Sequence, residues 1–247
     1  MSLRFLRASV VAVAAVVASV GPAFADSVTL DFTNVNPTAN VKVKINSSTY
    51  SGAAGEMNWK VTATTDNAIP AQTNPFTVNQ QVVTFCIDAL HALQDPDTYT
   101  VDYQPFANDS ATLLTELYAA HYADIGSNGN NAAAFQIAVW ELIYDAPTTG
   151  SYTYSNGLTG GIFKDNGTTS SIINTANSWL SDFQTVGANT TGWTLYELDA
   201  GTSGQSQLYG VHTTGGGGQT GVPLPAAAPA GFALLMGLAG YRKLRRA

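Results

Sequence analysis

The sequence predicts an α+β fold, a β-rich core that is barrel-like or sandwich-like and carries a helical insert of about three helices. Two observations predict it. Short alternating runs rich in β-branched residues occupy the first and last parts of residues 26–212. Between them the apolar spacing changes to the helical period. Strands, then helices, then strands again place a helical layer on a sheet built from both flanking segments.

The strand runs fall at residues 28–32, 41–45, 59–64, 82–87 and 99–103, and resume at 193–198 and 207–211. Asn, Gly, Pro and Asp separate them, as turn chemistry requires. Asp109 or Ser110 can cap a first helix through Leu113, Leu114, Leu117, Tyr118 and His121, and Gly126 can stop it. A polar turn at 127–131 leads to a second helix from Ala132 to about Tyr144, ended before Pro147. Ser170 or Ser171 caps a third, with Ile172, Ala176, Trp179, Leu180 and Phe183 on one face. No internal repeat is present.

The second helix is apolar almost all round, through Phe135, Ile137, Ala138, Val139, Trp140, Leu142 and Ile143. It should therefore be buried on most sides. Gln136 sits in its middle. An unpartnered buried amide costs roughly 2 kcal/mol or more, so something must face Gln136.

Both ends of the 247-residue chain are organised differently. Arg4 and Arg7 precede a small, apolar run at 8–20, and Ala23-Phe24-Ala25 follows. A basic start, a short apolar stretch and an A-x-A site are the parts of a secretory signal peptide, with cleavage expected after Ala25. At the other end a glycine run at 215–218 lies in a flexible linker, residues 213–221. Val222-Pro223-Leu224-Pro225-Ala226 comes next, then an apolar stretch to Gly240 and the cluster Arg242-Lys243-Leu244-Arg245-Arg246. The stretch suffices to span a thin bilayer, with the basic cluster on the cytoplasmic side. Residues 222–247 resemble the VPLPA variety of the PEP-CTERM sorting signals of Gram-negative bacteria. The resemblance implies recognition by a membrane protease of the exosortase type. A plain permanent anchor has the same apolar and basic pattern.

Six of the ten basic residues lie in these end segments, leaving only Lys42, Lys44, Lys60 and Lys164 against all 17 acidic residues. A body with net charge near −13 and no arginine does not attract nucleic acid or anionic lipid. An exported protein, at the cell surface or outside the cell, is expected, with at least transient anchoring in the inner membrane.

Cys86 is the only cysteine, so no internal disulfide is available in an exported chain. It lies in Thr84-Phe85-Cys86-Ile87-Asp88 at the end of a predicted strand. A small buried hydrophobe is one reading of it, and an interchain disulfide is another. A cysteine protease needs a histidine and an orienting group, and His91, His121 and His212 stand in no recognisable motif around it. His91, five residues on, reads as a loop residue. Metal binding lacks ligands at ligand spacing, so no metal or cofactor is expected.

Phe85-Cys86-Ile87-Asp88 and, 50 residues beyond the cysteine, Phe135-Gln136-Ile137-Ala138-Val139-Trp140 together resemble the paired motifs of the thioester domains of bacterial surface proteins. Those domains carry an aromatic-Cys-aliphatic-acid motif on the β side. On a helix they carry Gln-x-aliphatic-aliphatic-Trp, often preceded by Thr, where this chain has Phe135. The resemblance implies that 26–212 is a thioester-type domain in which Cys86 and Gln136 form an internal thioester. Phe85, Asp88, Trp140 and Glu141 would form the supporting pocket, with Tyr144 adding to the apolar wall that slows hydrolysis. Attack of a Cys86 thiolate on the Gln136 amide carbon would release ammonia. An amine on another molecule could then open the thioester. Glu141 and Asp145, at i and i+4, are candidates for a proton shuttle or for an ordinary acidic helix edge.

The function so implied is covalent adhesion to an amine-bearing surface or matrix macromolecule, not catalytic turnover. A non-covalent biofilm or matrix component remains the alternative. A hydrolase using Glu141 and Asp145 is disfavoured, because i, i+4 spacing does not set two carboxylates across a glycosidic bond.

Overall fold

The computed structural model describes residues 26–66, 74–103, 106, 110–146, 154, 157–186, 189–202, 204–213 and 220–221. The expected signal peptide, the glycine run and the sorting tail lie outside the described residues. Among the described residues there are eight strands: β1 (Ser27–Ile45), β2 (Ser48–Thr65), β3 (Gln81–Cys86), β4 (Asp97–Asp102), β5 (Phe163–Asp165), β6 (Trp193–Asp199), β7 (Gln207–His212) and β8 (Thr220–Gly221). Three helices, α1 (Ser110–Ile125), α2 (Gly129–Asp145) and α3 (Ser170–Val186), interrupt them. The fold is α+β and β-rich, as its residue pattern predicts.

The strands close on themselves. β1 pairs with β2, β2 with β3, β3 with β7, β7 with β6, β6 with β4, and β4 returns to β1, all antiparallel. Closure removes free edges from this ring. Trp59 of β2 meets Tyr99 of β4 edge-to-face at 6.0 Å, although those strands are unpaired. Both side chains are fully buried. The Trp59 indole donates to Thr84 Oγ1 at 2.8 Å, and Thr84 Oγ1 donates to Gln207 Oε1 at 3.0 Å, so these three side chains satisfy one another.

The hairpin of β1 and β2 is longer than the residue pattern predicts. Alternation marks 28–32 and 41–45 as separate strands because Asn34, Asn36 and Pro37 read as a turn. Instead β1 runs through, absorbing the irregularity as a register shift between Val35 and Thr38. The first half of β2, Ser-Thr-Tyr-Ser-Gly-Ala-Ala-Gly, has no alternation to read, and partner strand and helix hold it in place. β5 pairs with the far end of β1, and β8 with β7; neither is foreseen.

α1 begins at Ser110, whose hydroxyl donates to Leu142 O and ties the helix to α2. It ends before Gly126, whose φ of +52° suits the left-handed stop. α2 begins at Gly129, three residues before the expected Ala132. Asn128 is its N-cap, and its side chain accepts from Asn130 N at 3.0 Å. The polar residues 129–131 are thus the first turn of the helix, not a linker. In α3 the Thr169 carbonyl accepts from Ile172 and Ile173 N, so the first turn opens one residue ahead of the expected serine caps. Ile172, Ala176, Trp179 and Leu180 are buried as expected, while the Phe183 side chain lies outside the described residues.

α2 is the central helix. Every residue from Ala132 to Leu142 is buried, and it packs on α1, α3, β1, β2 and β5. Its start comes so close to β1 that a Cβ on Gly129 would lie 2.1 Å from Thr38 O. Only glycine permits that approach.

Candidate functional site

β3 delivers Cys86, and α2 delivers Gln136 to it. Along β3, backbone groups of alternate residues point to the same neighbour. Thr84 faces β2, where it pairs with Met57, and that pairing goes no further. Beyond Met57 comes Gly55, with φ +152°, where a Cβ would lie 2.2 Å from Pro37 O. Here β2 follows the bend of β1 and leaves β3. The next rung, the N–H and C=O of Cys86, lacks a strand partner on that side.

Gln136 occupies the rung. The Cys86 N–H donates to Gln136 Oε1 at 2.9 Å, and Gln136 Nε2 donates to Cys86 O at 2.7 Å. Gln136 is 1% exposed and Cys86 4%. The buried amide thus finds its two partners on the backbone of the sole cysteine. Leaving these groups unpaired would cost roughly 1–3 kcal/mol each.

Burial pushes the Cys86 thiol up to about 12. The Asp88 N–H and the Trp140 indole N–H oppose that shift, while the Asp88 carboxyl adds to it. Trp140 Nε1 is buried and lies near enough to the sulfur to favour its charged form. Tyr50 packs edge-to-face on Trp140 at 5.4 Å, and its own ionisation is raised by burial and by Cys86.

A cavity of about 270 Å³ opens beside the pair. Phe32, Val35 and Met57 form its hairpin side, Gln136 and Trp140 its helix side, and His91 and Leu93 its loop side. Cys86 itself borders the cavity.

The expected site residues separate into three groups. Cys86, Gln136, Asp88 and Trp140 come together. Phe85 follows β-strand alternation to the opposite face of β3 and packs on Phe135 at 4.7 Å, away from the cavity. Phe135 is fully buried among Phe85, Tyr118, Tyr122 and Trp179, and a threonine would not fill that space. Tyr144 lies near the thiol, where burial, with Asp88 and Cys86 adding, raises its hydroxyl to about 12.

Glu141 and Asp145 belong elsewhere. Glu141 is buried near Tyr154, whose ionisation is raised by burial and then by Glu141, and it does not line the cavity. The Asp145 carboxylate accepts from Ile162 N at 2.7 Å and Phe163 N at 3.0 Å, holding the loop before β5. His121 stacks on Trp179, and His212 packs on Trp193, both outside the cavity.

His91 is the residue that the sequence pattern passes over. It lies in a loop, as expected, but that loop folds back to the cavity. Its Nδ1 contacts Asp88 Oδ2, and Asp88 Oδ1 also accepts from Leu90 N at 3.2 Å. Gln205 Nε2 donates to His91 O at 3.2 Å, and Gln205 O accepts from Gln207 Nε2 at 3.0 Å. A hydrogen-bonded series therefore runs from Trp59 through Thr84, Gln207 and Gln205 to His91. The spacing Cys86-x-Asp88-x-x-His91 is the signal for it, legible only with the turn it makes.

Among the described residues no group of His, Cys, Asp and Glu is arranged to hold a metal ion. Among them, too, no helix is long and apolar enough to cross a membrane. No family model, curated protein or solved structure matches the chain.

Proposed function

We propose that this is an exported surface or extracellular-matrix protein that stores an internal Cys86–Gln136 thioester and spends it on covalent attachment to an amine-bearing partner. The observation that carries this reading is the docking of the Gln136 side-chain amide on the Cys86 backbone. The two residues are thus held side by side before any covalent bond forms. Cys86 Sγ adds to Gln136 Cδ, the carbonyl oxygen takes up charge where the Cys86 N–H already points, and Nε2 leaves as ammonia. A primary amine entering the cavity then adds to the same carbon, forms an amide at Gln136 and releases the Cys86 thiol. The apolar walls from Phe32, Val35 and Trp140 disfavour water and suit the aliphatic arm of a lysine side chain.

The address comes from the ends of the sequence. The signal peptide supports export, and the VPLPA-type tail supports sorting by an exosortase-type protease after transient anchoring in the inner membrane. Covalent capture has a use there, where partners are amine-bearing macromolecules outside the cell.

Intact mass of purified protein, before and after methylamine, tests the proposal. The thioester form is lighter by one ammonia and gains one methylamine, and Cys86→Ala abolishes both changes. Full mass in fresh folded protein with no methylamine adduct would sink the idea. The second reading, a non-covalent matrix component in which the pair only packs, rests on the burial that holds the thiol protonated. It predicts the full mass.

A further inference from the structure

A protonated thiol and an amide leaving group set a requirement that Cys86 and Gln136 do not meet alone. One proton must leave Sγ as it adds to Cδ, and one must reach Nε2 as the C–N bond breaks. When an amine opens the thioester, the incoming nitrogen must lose a proton and the departing sulfur must gain one. Burial makes the Cys86 proton hard to remove. A side chain bordering the cavity that can both accept and donate a proton is needed.

The acidic pair on α2 stands elsewhere: Glu141 is buried away from the cavity, and Asp145 is held by the backbone before β5. The loop after β3 supplies a better set. Asp88, two residues beyond the cysteine, turns its N–H to the sulfur and its carboxylate to His91 Nδ1. His91 borders the same cavity as Cys86 and Gln136, and its side chain is half exposed. With Nδ1 donating to Asp88, Nε2 is the nitrogen free to accept a proton. The carboxylate fixes tautomer and ring orientation, as in nucleophile–histidine–acid arrangements generally. Gln205 holds the His91 carbonyl, so the loop is fastened to the barrel.

We infer that His91 is the proton carrier of the Cys86–Gln136 site and that Asp88 is its positioning residue. This inference rests on the thioester reading. In formation His91 takes the Cys86 Sγ proton and passes it to Gln136 Nε2, so ammonia leaves neutral. In opening it takes a proton from the attacking amine and gives it to the departing sulfur. No proton is gained or lost over either step, and no oxidant or reductant takes part.

The test uses the whole purified protein and three variants, His91→Ala, His91→Gln and Asp88→Asn, each checked for native near-ultraviolet circular dichroism. Thioester content and the rate of methylamine addition are followed by intact mass, with and without 2-methylimidazole, a hindered base that fits the space His91 leaves. The expected result is a loss of rate by a factor of ~100 in His91→Ala, in formation or in opening. 2-Methylimidazole should restore His91→Ala and leave His91→Gln, which keeps the space filled, slow. Asp88→Asn should be slowed less and should not respond to the base. A merely structural role would show no rescue. His91→Gln retains a polar group for Asp88, so it serves if His91→Ala does not fold. Wild-type rates in folded His91 variants, or slow rates without rescue of His91→Ala, overturn the relay and leave the thioester standing. A wild-type protein with full mass and no methylamine adduct overturns both.

Discussion

Gly129, the first residue of α2, lies against the carbonyl of Thr38 on β1, so close that a Cβ would come within 2.1 Å of the oxygen. Seven residues on, the same helix presents Gln136 to Cys86. The contact at Gly129 therefore sets how deeply the helix sits and where the amide lands.

Gly129→Ala should push the start of α2 away from β1. Overpacking of this kind costs about 1–3 kcal/mol. Because Gln136 moves with the helix, thioester content by intact mass should fall further than the loss of melting temperature alone would suggest. A variant with unchanged stability and full thioester content would show that α2 has slack at this contact.

Gln136→Ala should destabilise the fold even where no thioester can form. In a Cys86→Ala background the backbone N–H and C=O of residue 86 still need partners, and the truncation leaves both orphaned in a buried position. A loss of about 3 kcal/mol in urea unfolding is expected. Equal stability of the single and double variants would mean that water takes over both bonds.

Glu56 should make stability fall with rising pH. It is 5% exposed, and burial raises its pKa from 4.5 to about 7, against the opposing effect of the bond from Tyr122. Between those values the folded chain holds a proton that the unfolded chain has released. Stability is thus fullest below about pH 4.5, declines up to about pH 7 and stays low above it, by roughly 3 kcal/mol in all. Glu197 is raised to about 7 by burial, with Asp199 and Asp102 adding, and contributes a slope of the same sign. The readout is therefore a difference. Glu56→Gln should gain on the wild type at pH 8 and not at pH 4.5, measured by urea unfolding at each pH.

What the sequence makes legible here follows from where the causes lie. α1 and α3 are readable because apolar spacing and end signals, such as Gly126, act locally. The pairing of Cys86 with Gln136 is readable because a buried cysteine and an amide in an apolar helix each require an explanation. Phe85 is misplaced because a strand neighbour of Cys86 must point the opposite way. The first half of β2 is not readable, since Gly52, Ala53, Ala54 and Gly55 take strand form only against β1 and α2. The Asp88–His91 contact and the cavity depend on a loop whose path is fixed by Gln205, more than a hundred residues away. The spacing Cys86-x-Asp88-x-x-His91 is local, but the loop path that gives it meaning is not.

The rung that β2 leaves vacant after Met57 makes strand alignment and side-chain chemistry one variable. A chain with β2 slipped along β3 would cover Cys86 with backbone and keep its thiol apart from the amide. On the proposed thioester chemistry, the loss of one ammonia would be a permanent stamp carried only by correctly assembled copies. A mass spectrum taken long after synthesis would count how many chains had folded true.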